Sequence, residues 1–189
     1  IRKKTQDYVM GKEEIDPLVL NTEYELYTHS SENLSKIKDA SVDYVFTDPP
    51  YGDSIAYLGL NMFWNSWVSP RVDYDSEIIY DRTRNKGYRE YKNGLRNVYS
   101  EMSRILKPNR YMTFTFNNRD LRFWKIIIDA TLDAGFELKD VLWDNQATRS
   151  GTQGINRKNT LKGDFVYTFK KVAKFSTPED CEGKDILLR

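Results

Sequence analysis

Hydrophobic and polar positions change period several times along the chain, and each change marks a predicted element. Val42-Asp43-Tyr44-Val45-Phe46-Thr47 is dominated by β-branched and aromatic residues, which predicts a buried strand that the consecutive prolines Pro49 and Pro50 must end. Leu95, Val98, Met102, Ile105 and Leu106 recur at helical spacing, so a helix is predicted over 93–106, stopped by Lys107-Pro108-Asn109. Residues 111–116 return to a strand pattern. Asp120 is a candidate N-cap for a second helix over 121–134, with Gly135 as its stop signal. Strands are predicted over 136–143 and 164–170, separated by a long loop at 145–163. Upstream, the alternation Glu25-Leu26-Tyr27-Thr28-His29 reads as a strand, and Ser31 to Lys38 as a short helix with Leu34 and Ile37 facing inward. Strand, helix, strand, helix, strand, loop, strand is an α/β order.

Two segments stand apart. In 53–68, Leu60, Phe63, Trp64 and Trp67 fall on one helical face, read first as core packing and second as a lid beside the proline corner. In 69–96, Arg82, Arg84, Lys86, Arg89, Lys92 and Arg96 are interleaved with Tyr80, Tyr88 and Tyr91. Cations that reach a phosphate backbone and rings that stack on bases make this a candidate nucleic-acid surface. Asp73, Asp75, Glu77 and Asp81 precede it and leave a solvated mixed-charge loop as the equal alternative. Arg149, Arg157 and Lys158 in the late loop are further candidates for phosphate or base-edge contact.

Composition narrows the classes. With 39% hydrophobic and 14% aromatic residues in 189, a single packed domain is expected rather than disorder. A net charge of +1 gives no overall basic signature, so any nucleic-acid contact must come from local clustering. One cysteine, Cys181, and one histidine, His29, leave neither a disulfide framework nor a zinc site, so no metal is expected. No apolar run reaches membrane-spanning length and no signal-peptide core is present, which makes a cytoplasmic protein the expectation. The layout reads as a lead-in at 1–23, a catalytic domain at 24–172 and a polar tail or linker at 173–189.

The candidate chemistry lies at Asp48-Pro49-Pro50-Tyr51. A strand that ends there delivers the carboxylate to the sheet edge where open α/β folds bind ligands. Proline fixes φ and biases the residue before it, so the segment is stiff. A carboxylate, a rigid carbonyl and an adjacent ring suit the exocyclic amine of a nucleobase. If Asp48 accepts one N–H and the Pro49 carbonyl the other, the nitrogen is drawn toward tetrahedral geometry and its lone pair is freed. Tyr51 can stack on the base.

Thr47-Asp48-Pro49-Pro50-Tyr51-Gly52, preceded by Ser41-Val42-Asp43-Tyr44-Val45-Phe46, resembles the signature of the S-adenosylmethionine-dependent amino-methyltransferases that modify adenine N6 or cytosine N4 in DNA. Arg104-Ile105-Leu106-Lys107-Pro108 resembles the end of a helix in the same family, with Asn109 and Arg110 where glycines are usual. The resemblance implies a partial Rossmann-like class I methyltransferase fold: strands four to seven, with an antiparallel pairing of the sixth and seventh. It also implies that Asp48, Pro49, Pro50 and Tyr51 are catalytic, that S-adenosylmethionine is the cofactor, that DNA is the partner and that the setting is restriction-modification. The Asp form of the tetrapeptide is more typical of adenine enzymes. No Gly-x-Gly occurs in the chain, so the family's first, cofactor-binding half is expected to be largely absent and its glycine loop to lie on further polypeptide. Cofactor-binding residues are therefore unassigned. A tRNA guanine-N2 methyltransferase, which shares the tetrapeptide, and a non-catalytic binding fragment are the alternatives. A nucleotide hydrolase is disfavoured because no phosphate loop is present.

Overall fold

The computed structural model describes residues 30–68, 73–144 and 163–172. The expected lead-in, the strand at 25–29, Arg149, Arg157, Lys158 and the tail from 173 lie outside the described residues. Among the described residues nine elements follow one another: strand β1 (Val42–Thr47), helices α1 (Tyr57–Leu60) and α2 (Met62–Val68), a 3-10 turn (Arg82–Arg84), helix α3 (Tyr88–Ile105), strand β2 (Leu106–Phe116), helix α4 (Leu121–Asp133), and strands β3 (Phe136–Asp144) and β4 (Asp164–Lys171).

The four strands form one sheet in the order β1-β2-β4-β3. β1 runs parallel to β2, whereas β4 is antiparallel to both β2 and β3, giving the expected antiparallel pair at the end of the chain. Between Val42↔Leu106 and Tyr44↔Tyr111 the β1–β2 register slips, so residues 107–110 leave the ladder as an excursion with Asn109 at φ 61°. The predicted stop at Lys107-Pro108-Asn109 is thus a detour within a long strand. α3 also begins earlier than its apolar spacing implied, because Glu90 bonds back to the Gly87 amide at 2.9 Å and fixes the first turn.

Alternation along β2 and β4 sorts the side chains by face. Met112, Phe114 and Phe116, with Tyr167 and Phe169, turn toward α3 and α4 and close a core with Tyr91, Leu95, Tyr99, Phe123 and Ile127. Each such aromatic or aliphatic side chain contributes about 1.5–3 kcal/mol by leaving water. Tyr44, Phe46, Tyr111, Thr113 and Thr115 share the opposite face, where Tyr44, Phe46 and Tyr111 are exposed while Thr113 is buried and accepts the Tyr44 hydroxyl at 2.6 Å.

Two sequence expectations are corrected here. Among the described residues β1 is an edge strand and not a buried one: Tyr44 is 53% and Phe46 63% exposed. Residues 31–38 form turns and no helix. Their backbone is taken by α3 instead, since Arg104 donates to the carbonyls of Leu34 and Ile37 while Glu101 accepts the Leu34 amide at 2.7 Å. These side-chain partners replace the ladder a helix would have supplied.

Candidate active site

Parallel pairing of β1 with β2 ends at Thr47↔Phe114, so the chain leaves the sheet at its carboxyl edge with Asp48 beside Thr115 and Phe116. Asp48 is exposed, and its Oδ1 accepts the Thr115 hydroxyl at 2.7 Å. The corner that follows is held from the interior, residue by residue. Tyr91 donates its phenol to the Pro50 carbonyl at 2.5 Å, Asn118 donates its amide to the Tyr51 carbonyl at 2.8 Å, and the Tyr80 amide reaches the Gly52 carbonyl at 3.2 Å. Within that run the Pro49 carbonyl has no donor among the described residues.

Tyr51 is half-buried. Its ring meets Phe116 edge-on at 5.2 Å, and its hydroxyl donates to Thr115 at 3.2 Å. Burial pushes this phenol well above its ordinary range, and Asp48 adds to the rise, so it stays a donor. Gly52 takes φ +68°, and a Cβ there would fall 2.6 Å from the Phe123 ring. The same edge carries Tyr57, raised by burial and then by the charge of Asp48, and Asp164, raised by burial with Asp48 and Asp144 contributing.

Beside this corner two arginines and two tyrosines cluster. The Arg82 guanidinium lies 5.9 Å from the Tyr80 ring centroid and donates to the Tyr80 hydroxyl at 2.6 Å, Tyr80 and Tyr88 are 4.4 Å apart, and Arg122 sits 4.7 Å from the Tyr88 ring centroid. Arg122 also pairs with Asp120, whose carboxyl it holds down at about 2. Of the remaining basic candidates, Arg84 is spent on Glu77 and Asp81, and Lys86 on the carbonyls of Asp75 and Glu77. Arg89 is 86% exposed and leans on Glu90, and Lys92 is half-buried. The aromatic helix α2 is helical as predicted, yet Phe63, Trp64 and Trp67 are at least 65% exposed, which overturns the core-packing reading.

Thr115, Asn118 and Arg122 escaped the sequence reading, and Tyr91, read there as a ring of a nucleic-acid surface, is fully buried and braces the corner instead. Alternation around Phe114 and Phe116 does single out Thr115 as facing away from the core, but nothing local tells that β2 is the neighbour of β1.

A partial Rossmann-like sheet that carries Thr-Asp-Pro-Pro-Tyr-Gly at its carboxyl edge is the arrangement of the amino-methyltransferases. A family profile for the N6/N4 DNA methylases matches residues 42–184, and the chain belongs to that family. No curated protein matches the chain. Among solved structures, the cytosine-N4-specific PvuII DNA methyltransferase is 16% identical with a TM-score of 0.51, over 77% of this chain and 48% of that one. A protein of Thermus thermophilus assigned as a DNA modification methylase, solved with S-adenosyl-L-methionine, is 17% identical with a TM-score of 0.46, over 79% and 55%. An S-adenosylmethionine-dependent methyltransferase of Methanosarcina mazei is 14% identical with a TM-score of 0.43, over 80% and 69%. The chain thus spans about half the length of most of these structures. The described residues contain no Gly-x-Gly turn at a strand end that would cradle a methionine moiety, so no residue here is assigned to the cofactor.

Proposed function

We propose that this chain is the amine-binding half of an S-adenosylmethionine-dependent DNA methyltransferase whose target is adenine N6. The observation that carries the reading is the pattern of occupied and open acceptors at the corner. Thr115 holds one oxygen of Asp48, and the Pro50 and Tyr51 carbonyls are both engaged from behind. Asp48 itself is exposed, and the Pro49 carbonyl, on a buried residue, has no donor among the described residues. Two fixed acceptors on one nitrogen take both its hydrogens, pull it out of conjugation and stabilise the positive charge that grows as it attacks. Tyr51, pinned at its hydroxyl and braced by Phe116, offers a ring for the base. When bound, the cofactor supplies the electrophilic methyl group.

A base inside a duplex cannot reach such an edge, so the target must be flipped out. Arg82, Arg89 and Lys92, joined by Arg122, are the cations placed to hold the backbone beside it, whereas Arg84 and Lys86 brace the loop that carries them. Arg149, Arg157 and Lys158 remain candidates from the late loop. The Asp-Pro-Pro-Tyr form favours adenine over cytosine.

The test uses the full-length protein with tritiated S-adenosylmethionine and unmethylated bacteriophage λ DNA. Asp48→Ala is expected to lose at least about 100-fold in turnover while cofactor binding persists. Near-normal turnover would remove Asp48 from the chemistry. Nucleoside digestion of the product identifies the target: N6-methyladenine supports the reading, and N4-methylcytosine would replace it.

A further inference from the structure

We propose that Thr115 is a positioning residue for amine capture, a single hydroxyl that sets Asp48 and Tyr51 together. The inference rests on the reading that Asp48 binds the amine. Thr115 Oγ1 lies 2.7 Å from Asp48 Oδ1 and 3.2 Å from the Tyr51 hydroxyl. A hydroxyl has one hydrogen and two lone pairs. A carboxylate only accepts, so the Thr115 hydrogen goes to Asp48 and the Tyr51 hydrogen comes to Thr115. The relay has one direction, from ring to threonine to carboxylate.

Its position follows from the sheet. The β1–β2 register ends at Thr47↔Phe114, so Thr115 is the next residue on β2, opposite the point where Asp48 leaves the ladder. β-Branching restricts its rotamer in a strand. Asp48 itself is exposed, and the Thr115 hydroxyl donates to it at 2.7 Å. Without that donor the carboxylate is free to turn. With it, Oδ1 is anchored, which fixes where the other oxygen lies relative to the neighbouring Pro49. The phenol of Tyr51 is tied to the same atom, so the ring that stacks and the oxygen that accepts hold a fixed relation to each other.

Three variants of the full-length protein, assayed with tritiated S-adenosylmethionine and unmethylated bacteriophage λ DNA, decide the matter. Thr115→Val keeps the shape and removes the hydroxyl; it is expected to lower kcat about 10- to 100-fold, the range for losing a hydrogen bond to a charged group, with the KM for DNA within about threefold. Thr115→Ser restores the hydroxyl and is expected to recover to within about fivefold of the parent. Asp48→Ala is the reference. If Asp48→Ala is inactive while Thr115→Val keeps the parental kcat, or raises only KM, Thr115 has no positioning role. If Asp48→Ala itself turns over normally, the amine-binding reading fails first. Should Thr115→Val unfold, Thr115→Ala against Thr115→Ser gives the same comparison, and equal rates for those two would overturn the proposal.

Discussion

At Gly52 the backbone turns with φ +68°, and any side chain would meet the ring of Phe123 at 2.6 Å. Gly52→Ala therefore combines an unfavourable backbone region with overpacking, and is expected to destabilise the protein by about 2–4 kcal/mol in chemical denaturation. A loss under about 0.5 kcal/mol would show that Phe123 yields and that the corner is softer than its geometry. Asp48, Pro49, Pro50 and Tyr51, the amine-binding corner of the proposed reading, could be picked out because they are contiguous in the chain. The residues that hold them were not, since Thr115 and Asn118 reach back across 67 positions and Tyr91 across 41. The basic candidates show the opposite lesson. Their charge was plain in the sequence, but only the fold reveals that Arg84 and Lys86 are spent on neighbouring acceptors and that Arg82 and Arg122 each lie against one of a pair of tyrosines.

Among the elements, α3 organises its surroundings through a pair on its last turns. Arg104 bonds Glu101 at 2.8 Å and also binds the carbonyls of Leu34 and Ile37, so the turns at 31–38 are fastened to the helix as well as by their own short-range bonds. The Arg104 bond, ahead of every other influence, holds the Glu101 carboxyl down at about 2. A carboxyl depressed in the folded state stabilises it above the unfolded value, near 4.3, and that contribution fades as pH falls from there toward 2. Arg104→Met should thus lower Tm clearly at pH 6, and the gap to the parent should shrink on acidification to pH 3. A gap independent of pH would assign the loss to packing alone. Helix and strand types were readable from period, as α4 and β4 attest, but burial was not. The apolar stripe of α2 has helical spacing and still faces outward, because the same period fits any surface that an apolar partner could cover.

Over the whole molecule, the face of the sheet opposite the core leaves large side chains exposed among the described residues. Phe46 and Tyr44 stand in solvent on an edge strand whose composition predicted burial. Phe46→Thr, which keeps a strand-favouring residue and removes the ring, should change the unfolding free energy of the 189-residue chain by less than about 0.5 kcal/mol, as for an ordinary surface site. A loss of several kcal/mol would mean that this face is covered. The α/β class could be taken from element order and the antiparallel end of the sheet from the family resemblance, whereas the place of β1 at the border of the described sheet could not. Sequence states what a strand is made of; its neighbours decide how much of it is wet.

Two oxygens that converge on one nitrogen also count hydrogens. A fresh NH2 group brings two, its singly methylated product brings one, and a second methyl would leave none. Each transfer thus cancels one of the bonds that kept the base in place, so on the proposed reading the corner discards its own product and stops at a single methyl without any separate gate.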